Sequence, residues 1–84
     1  MATSITPTPG RIVLVKLRQM GKSIYINGSD EHPAIVCSVH SKNMVNVRVF
    51  QDDHEPPRWE TSVAFEESVE KDYAESTWRW PTRS

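Results

Sequence analysis

The sequence predicts an all-β domain, five or six short antiparallel strands closed into a small barrel. Three observations carry that prediction. Residues 44–50, MVNVRVF, alternate strictly, with Val45, Val47 and Val49 on one side and Met44, Asn46, Arg48 and Phe50 on the other. That is the period of an antiparallel strand with one wet face. The stretches RIVLVKL (11–17) and AIVCSVH (34–40) are short runs rich in β-branched residues, and turn-forming residues separate all three. Nothing in the chain reads firmly as a helix.

The elements follow in order. MATSITPTPG, residues 1–10, is an extended leader: Pro7 and Pro9 push their predecessors away from helix, and Gly10 ends the segment. In 11–17, Ile12 and Leu14 point one way while Val13, Val15 and Leu17 point the other. Residues 18–33 form a long excursion with turn signals at Gly21, Asn27-Gly28 and Pro33. SIYI within it suggests a short strand, so the excursion carries its own hairpin; such loops often hold binding residues. Residues 34–40 are the second clear strand. Cys37 reads there as a small buried hydrophobe, with His40, three positions on, on the opposite face. Ser41 to Asn43 turn the chain into the 44–50 strand, making a hairpin.

QDDHEPP, residues 51–57, is a polar loop, because tandem prolines exclude both helix and central strand. RWETSVAF, residues 58–65, is the fourth strand, with Trp59, Thr61, Val63 and Phe65 on one face. The acidic segment 66–75 has five carboxylates and one lysine. It reads as a solvated connector, either one or two helical turns or a loop. TWRWP is the last strand, stopped by Pro81. Closing such a sheet removes exposed edges, and an SH3-like barrel fits the length and the strand count.

At 84 residues the chain is one domain, 11–84 behind its leader. A chain this short buries only about 60% of its unfolded surface, so an oligomer would help it. The net charge of −1 and pI near 6.3 argue against general phosphate-backbone binding, though a local basic patch stays open. One cysteine cannot form an internal disulfide. No signal peptide and no run of roughly 20 apolar residues is visible, so the expected location is the cytosol, with no membrane partner. Three glycines leave little for a phosphate-cradling loop, and no nucleophile elbow or paired-cysteine pattern occurs. DDHE, residues 52–55, does not match a metal-ligand spacing. The sequence therefore predicts no enzyme, no metal and no cofactor.

The chemistry that remains is aromatic and cationic. In a strand, Trp78 and Trp80 share one face and Thr77 and Arg79 the other. Either both indoles close the core, or they form a stacking platform, alone or across a dimer interface. Trp80 is expected to be the more buried and Trp59 the more available. Arg48, Arg58 and Arg79 sit on or beside strands. Each is either a cross-strand partner for Glu60 or Glu66 or an anion contact, since guanidinium forks onto phosphate. His40 and Asn46 are placed to give polar readout of a ligand.

PGRIVLV, AIVCSVHSKNMVNVRVF and TWRWP together resemble a widespread group of short proteins encoded by tailed bacteriophages and prophages. Those chains open on Pro-Gly and valines, pass through A-A-I-V-x-x-V-H and V-x-L-x-V-F type strands, and often end in W-x-W-P. Pro33-Ala34 stands here where the group commonly has two alanines. The resemblance covers most of the chain outside 18–32 and 66–75. It implies a phage genome, a small β-barrel and no catalytic motif. By analogy, some phage proteins of this size block bacterial immunity by sequestering nucleotide signals.

The resulting expectation is a homo-oligomeric binding protein in the host cytoplasm that holds a small nucleotide-type signal. Trp59, Trp78 or Trp80 would stack on the base, and Arg48, Arg58 or Arg79 would hold phosphate. The alternative is a protein–protein module, a minor virion component or an inhibitor docked on a host protein through 66–75 and 18–32. Single-stranded nucleic-acid binding comes third, against the net charge.

Overall fold

The computed structural model describes residues 6–81. The first part of the leader, residues 1–5, and the tail residues 82–84 lie outside the described residues. Five strands close a barrel: β1 (Ile12–Lys16), β4 (Glu31–Val39), β5 (Met44–Val49), β6 (Arg58–Phe65) and β7 (Thr77–Arg79), in the order β1-β4-β5-β6-β7. β2 (Arg18–Gln19) and β3 (Lys22–Ser23) form a separate antiparallel ribbon inside the 18–33 excursion. This is the predicted all-β architecture, a small SH3-like barrel. No helix among the described residues is long and apolar enough to cross a membrane.

The core follows from strand alternation. Val13, Val15 and Leu17 of the first strand and its exit, Ala34 and Val36 of β4, and Val45, Val47 and Val49 of β5 are all buried. Val63 and Trp78 complete the cluster. The register stacks these residues across strands: Val13 faces Ala34, Ala34 faces Val49, and Val15 faces Trp78. Valine suits this position because its branched side chain fills a pleated, half-buried surface. Each fully buried valine stabilises the fold by roughly 1.5–3 kcal/mol relative to exposure.

The leader is pinned rather than loose at its end. The Gly10 amide donates to the Val36 carbonyl (2.8 Å), and the Val36 amide donates to that of Arg11 (2.9 Å). Gly10 needs its φ of +94° for this, a region that L-residues avoid. The excursion is tied down by Ser76, whose Oγ accepts from the Arg18 amide (3.0 Å) and donates to the Arg18 carbonyl (3.3 Å). The Gly21 amide donates to the Ala74 carbonyl (3.0 Å).

Four features depart from the sequence reading. Pro33 lies inside β4, not in a turn. It is tolerated because its carbonyl accepts from Phe50 (2.8 Å) at the point where β5 ends. The bond that its missing N–H forgoes is the one to the Phe50 carbonyl, at the last rung of the β4–β5 ladder. The closing pair β6–β7 is parallel, Ala64 with Thr77 and Phe65 with Trp78, not antiparallel. A parallel pair needs a crossover, and residues 66–76 supply it, beginning with a single 3-10 turn at Glu66–Ser68.

The third departure is Cys37, which is exposed. Val36 already faces inward, so the next residue turns out, and the β4–β5 register shifts between Val36 and Ser38. With that extra residue, His40 lies on the outer side as well, bonded to Asn46, and not opposite Cys37. The fourth is in β6. The register shifts between Val45 paired with Val63 and Val47 paired with Glu60, and Ser62 has a φ of +55°. This is a β-bulge, and one inserted residue reverses which side chains face in. Trp59 and Thr61 therefore lie on the opposite face from Val63, not on the same one.

Candidate functional site

The outer face of β4, β5 and β6 is where predicted site residues meet. Arg48 is the direct cross-strand neighbour of Trp59 on one side and of Ile35 on the other; Ile35 in turn pairs with Ile12. The row Ile12–Ile35–Arg48–Trp59 thus runs across four strands. Trp59 is 57% exposed and Ile12 52%. Phe50, 41% exposed, continues the apolar surface beyond the end of β5.

A polar cluster flanks the row. The Asn46 side-chain oxygen accepts from the Ser62 amide (2.8 Å) and the Thr61 hydroxyl (3.0 Å), and meets the His40 Nε2 at 3.0 Å. Nε2 must carry the proton for this last bond to form, because Oδ1 is an acceptor. Asn46 thereby fixes the bulge that turns Trp59 outward and holds the His40 ring in place. Thr61 and Ser62 were not foreseen as part of this site. Their only sequence signal is a hydroxyl pair inside a strand, which is uninformative without the register.

The remaining predicted residues lie elsewhere. Trp78 is 1% exposed. Its ring centroid is 4.6 Å from that of Phe65, and its indole N–H donates to the Asn43 carbonyl (3.0 Å). It is core, with no face left for a ligand to stack on. Trp80 is only half-buried, so the expected order is reversed: Trp78 sits between paired strands, whereas Trp80 follows the end of β7. Trp80 meets Trp78 edge-on at 5.3 Å, and the Arg11 guanidinium lies 5.3 Å from its ring centroid.

Arg58 and Arg79 are engaged by carboxylates. Arg58 contacts Glu60 at 3.0 Å on the side of the sheet that carries Val47 and Val49. Arg79 forks onto Glu31, Nε donating at 2.7 Å and one terminal nitrogen at 2.9 Å. The bidentate hydrogen bond from Arg79 holds the Glu31 carboxyl below its ordinary range, and the same bond raises the arginine. Among the described residues Arg48 has no ion-pair partner. It is therefore the cation beside Trp59 that is available to an anion.

The acidic segment forms one wall of a concavity of about 490 Å³, with Lys16, Arg18, Glu66, Glu70 and Tyr73 among its lining. Lys16 and Glu66 approach to 3.7 Å across it. A smaller cleft of about 290 Å³ lies between the excursion and the end of β5, lined by His32, Phe50 and Asp52 among others. Neither is lined by Arg48, Arg58 or Arg79. Among the described residues no three of His, Cys, Asp and Glu form a group able to hold a metal. No family model, curated protein or solved structure matches the chain.

Proposed function

We propose that this chain is a non-enzymatic binding protein of phage origin that captures a small nucleotide-type ligand on the outer face of β4–β6, in the host cytoplasm. The observation that carries the reading is the pairing of exposed Trp59 with Arg48 on the adjacent strand. An indole face next to an uncommitted guanidinium suits a base joined to phosphate. Stacking a base on an aromatic contributes roughly 1–3 kcal/mol, and a guanidinium forks onto phosphate oxygens. Asn46 and His40 stand beside the pair as hydrogen-bonding groups. Capture without turnover would make the protein a sponge for a host immune signal.

A thermal-shift screen against cyclic mono-, di- and trinucleotides, ADP-ribose derivatives and short single-stranded DNA tests the reading. Ligand at 100 times its dissociation constant adds about 2.7 kcal/mol, which in a domain this small is a rise of roughly 10–20 °C. The expected result is a large shift with one nucleotide class, lost in Trp59→Ala and Arg48→Ala, with the ligand recovered unchanged. No shift across the panel, or conversion of the ligand to a product, overturns it. A shift with DNA alone that collapses with added salt would instead support nucleic-acid binding.

A second reading has its own support. The row through Ile12, Ile35 and Trp59, crossed by Arg48 and extended by Phe50, exposes several large apolar side chains, and exposed apolar patches mark protein contacts. It favours a module that docks on a host or virion protein through this face rather than through 66–75.

A further inference from the structure

β6 has an unpaired edge that is complementary to itself. On one side β6 pairs with β5 along its length; on the other it meets β7 only at Ala64 and Phe65. The orientation of the peptide groups between them can be read from β5. Even-numbered positions turn toward β4: the Phe50 amide donates to Pro33 and the Met44 carbonyl accepts from His40. Odd-numbered positions turn toward β6, as the Phe65 amide bond to Asn43 shows. Val47 and Val49 therefore bond Glu60 and Arg58. Trp59, lying between those two, turns its N–H and C=O away from β5, and Thr61 does the same before the bulge. Among the described residues no other backbone partner meets either residue.

The geometry points to a homodimer formed by antiparallel pairing of β6 with β6 of a second copy, centred on Trp59. In that register Trp59 faces Trp59, and the two exchange both of their backbone bonds as a close hydrogen-bonded pair. Arg58 then stands opposite Glu60 of the other copy, and Glu60 opposite its Arg58. Each Thr61 amide reaches the Pro57 carbonyl across the axis. Pro57, with no N–H, ends the ladder there.

The neighbouring registers fail on charge. Centring on Glu60 sets Glu60 against Glu60, and centring on Arg58 sets Arg58 against Arg58. Like charges directly opposite destabilise a strand pair. An unpaired edge is also the liability that a closed barrel otherwise removes, and a chain of this length gains from added burial. The dimer joins two barrels into one sheet and makes the outer row continuous across the axis, with two indoles side by side at its centre. The pairing does not depend on any ligand.

Sedimentation velocity of the full chain at about 0.1 mM tests it, since any dissociation constant well below that populates the dimer. The wild type is expected to sediment as a dimer. Glu60→Arg gives each edge two basic residues, and Arg58→Glu gives each edge two acidic ones. Each variant alone should then repel itself, weakening association by roughly tenfold or more. An equimolar mixture of the two should form a heterodimer, because the basic edge meets the acidic one. Loss of the Arg58–Glu60 contact within a chain cannot produce that recovery on mixing. Circular dichroism of each variant confirms the fold. A monomeric wild type, undiminished association in either single variant, or a mixture that stays monomeric overturns the proposal.

Discussion

Trp78 and Trp59 are two indoles with opposite structural duties, and truncating each to alanine should separate them cleanly. Trp78 is fully buried against Phe65 and Trp80 and donates to the Asn43 carbonyl. That carbonyl keeps a second donor, the Phe65 amide, so losing the indole N–H leaves no orphaned acceptor. The cost is then mainly the cavity, about 3–5 kcal/mol for a buried Trp→Ala change. At the usual stability per residue, a domain this size has about 4–13 kcal/mol in total. Trp78→Ala should therefore lower the melting temperature by roughly 12 °C or more, and at the weak end of the range the domain should not fold at 25 °C. Trp59→Ala removes an exposed ring and should change stability by no more than about 0.5 kcal/mol. Thermal unfolding followed by far-ultraviolet circular dichroism at micromolar concentration reads both. Equal losses for the two variants, or a larger loss for Trp59→Ala, would refute this division between core and surface.

Two more substitutions probe the polar contacts. Glu31→Gln removes the carboxylate that Arg79 grips and should cost on the order of 1 kcal/mol at pH 7. Because the folded-state carboxyl is held below its ordinary 4.5, the pair's contribution is fully present above that value and is lost as pH falls through the lowered one. Urea midpoints of wild type and variant should therefore converge as the pH falls through that lowered value; a gap that persists or widens in acid would contradict the assignment. Asn46→Ala removes the oxygen shared by His40, Thr61 and Ser62. It should cost about 1 kcal/mol and accelerate amide exchange at Ser62 most of all, whereas unchanged exchange there would deny Asn46 its hold on the bulge.

The sequence made β1, β5 and β6 legible to within a residue or so, and for one reason. Each carries its side-chain period in its own residues, as Val45, Val47 and Val49 do most plainly. What it concealed depends on the relation between strands. The Ser62 bulge leaves no local mark, because its cause is an Asn46 oxygen reached only once β5 and β6 are aligned. Strict alternation through RWETSVAF thus put Trp59 with Val63, and the inserted residue undid that. Pro33 reads as a turn because proline lacks a donor. Only the end of β5 beside it reveals that the bond forgone is the last rung of the ladder. The fates of Arg58 and Arg79 were legible as a choice, carboxylate partner or anion contact; alternation along β6 set Arg58 beside Glu60 of the same strand, whereas register brought Arg79 to Glu31 of β4.

The same bulge explains how one small barrel can serve stability and binding together. Without it, Trp59 would lie on the side of Val63 and Phe65, where Trp78 and the valines already occupy the interior. On that side the positions opposite Val47 and Val49 are held instead by the partly exposed Glu60 and Arg58. The inserted residue places the indole outside, beside Arg48, and leaves Val63 and Phe65 to meet Trp78. It also separates two lengths of β6. Beyond the bulge, Ala64 and Phe65 pair with β7 and close the barrel. Before it, Arg58 to Thr61 keep their outward peptide groups unspent. The exposed indole beside Arg48 is therefore a consequence of one local insertion, and the unpaired edge lies on the same length of β6. A reading that assigns the face a role must account for all three together.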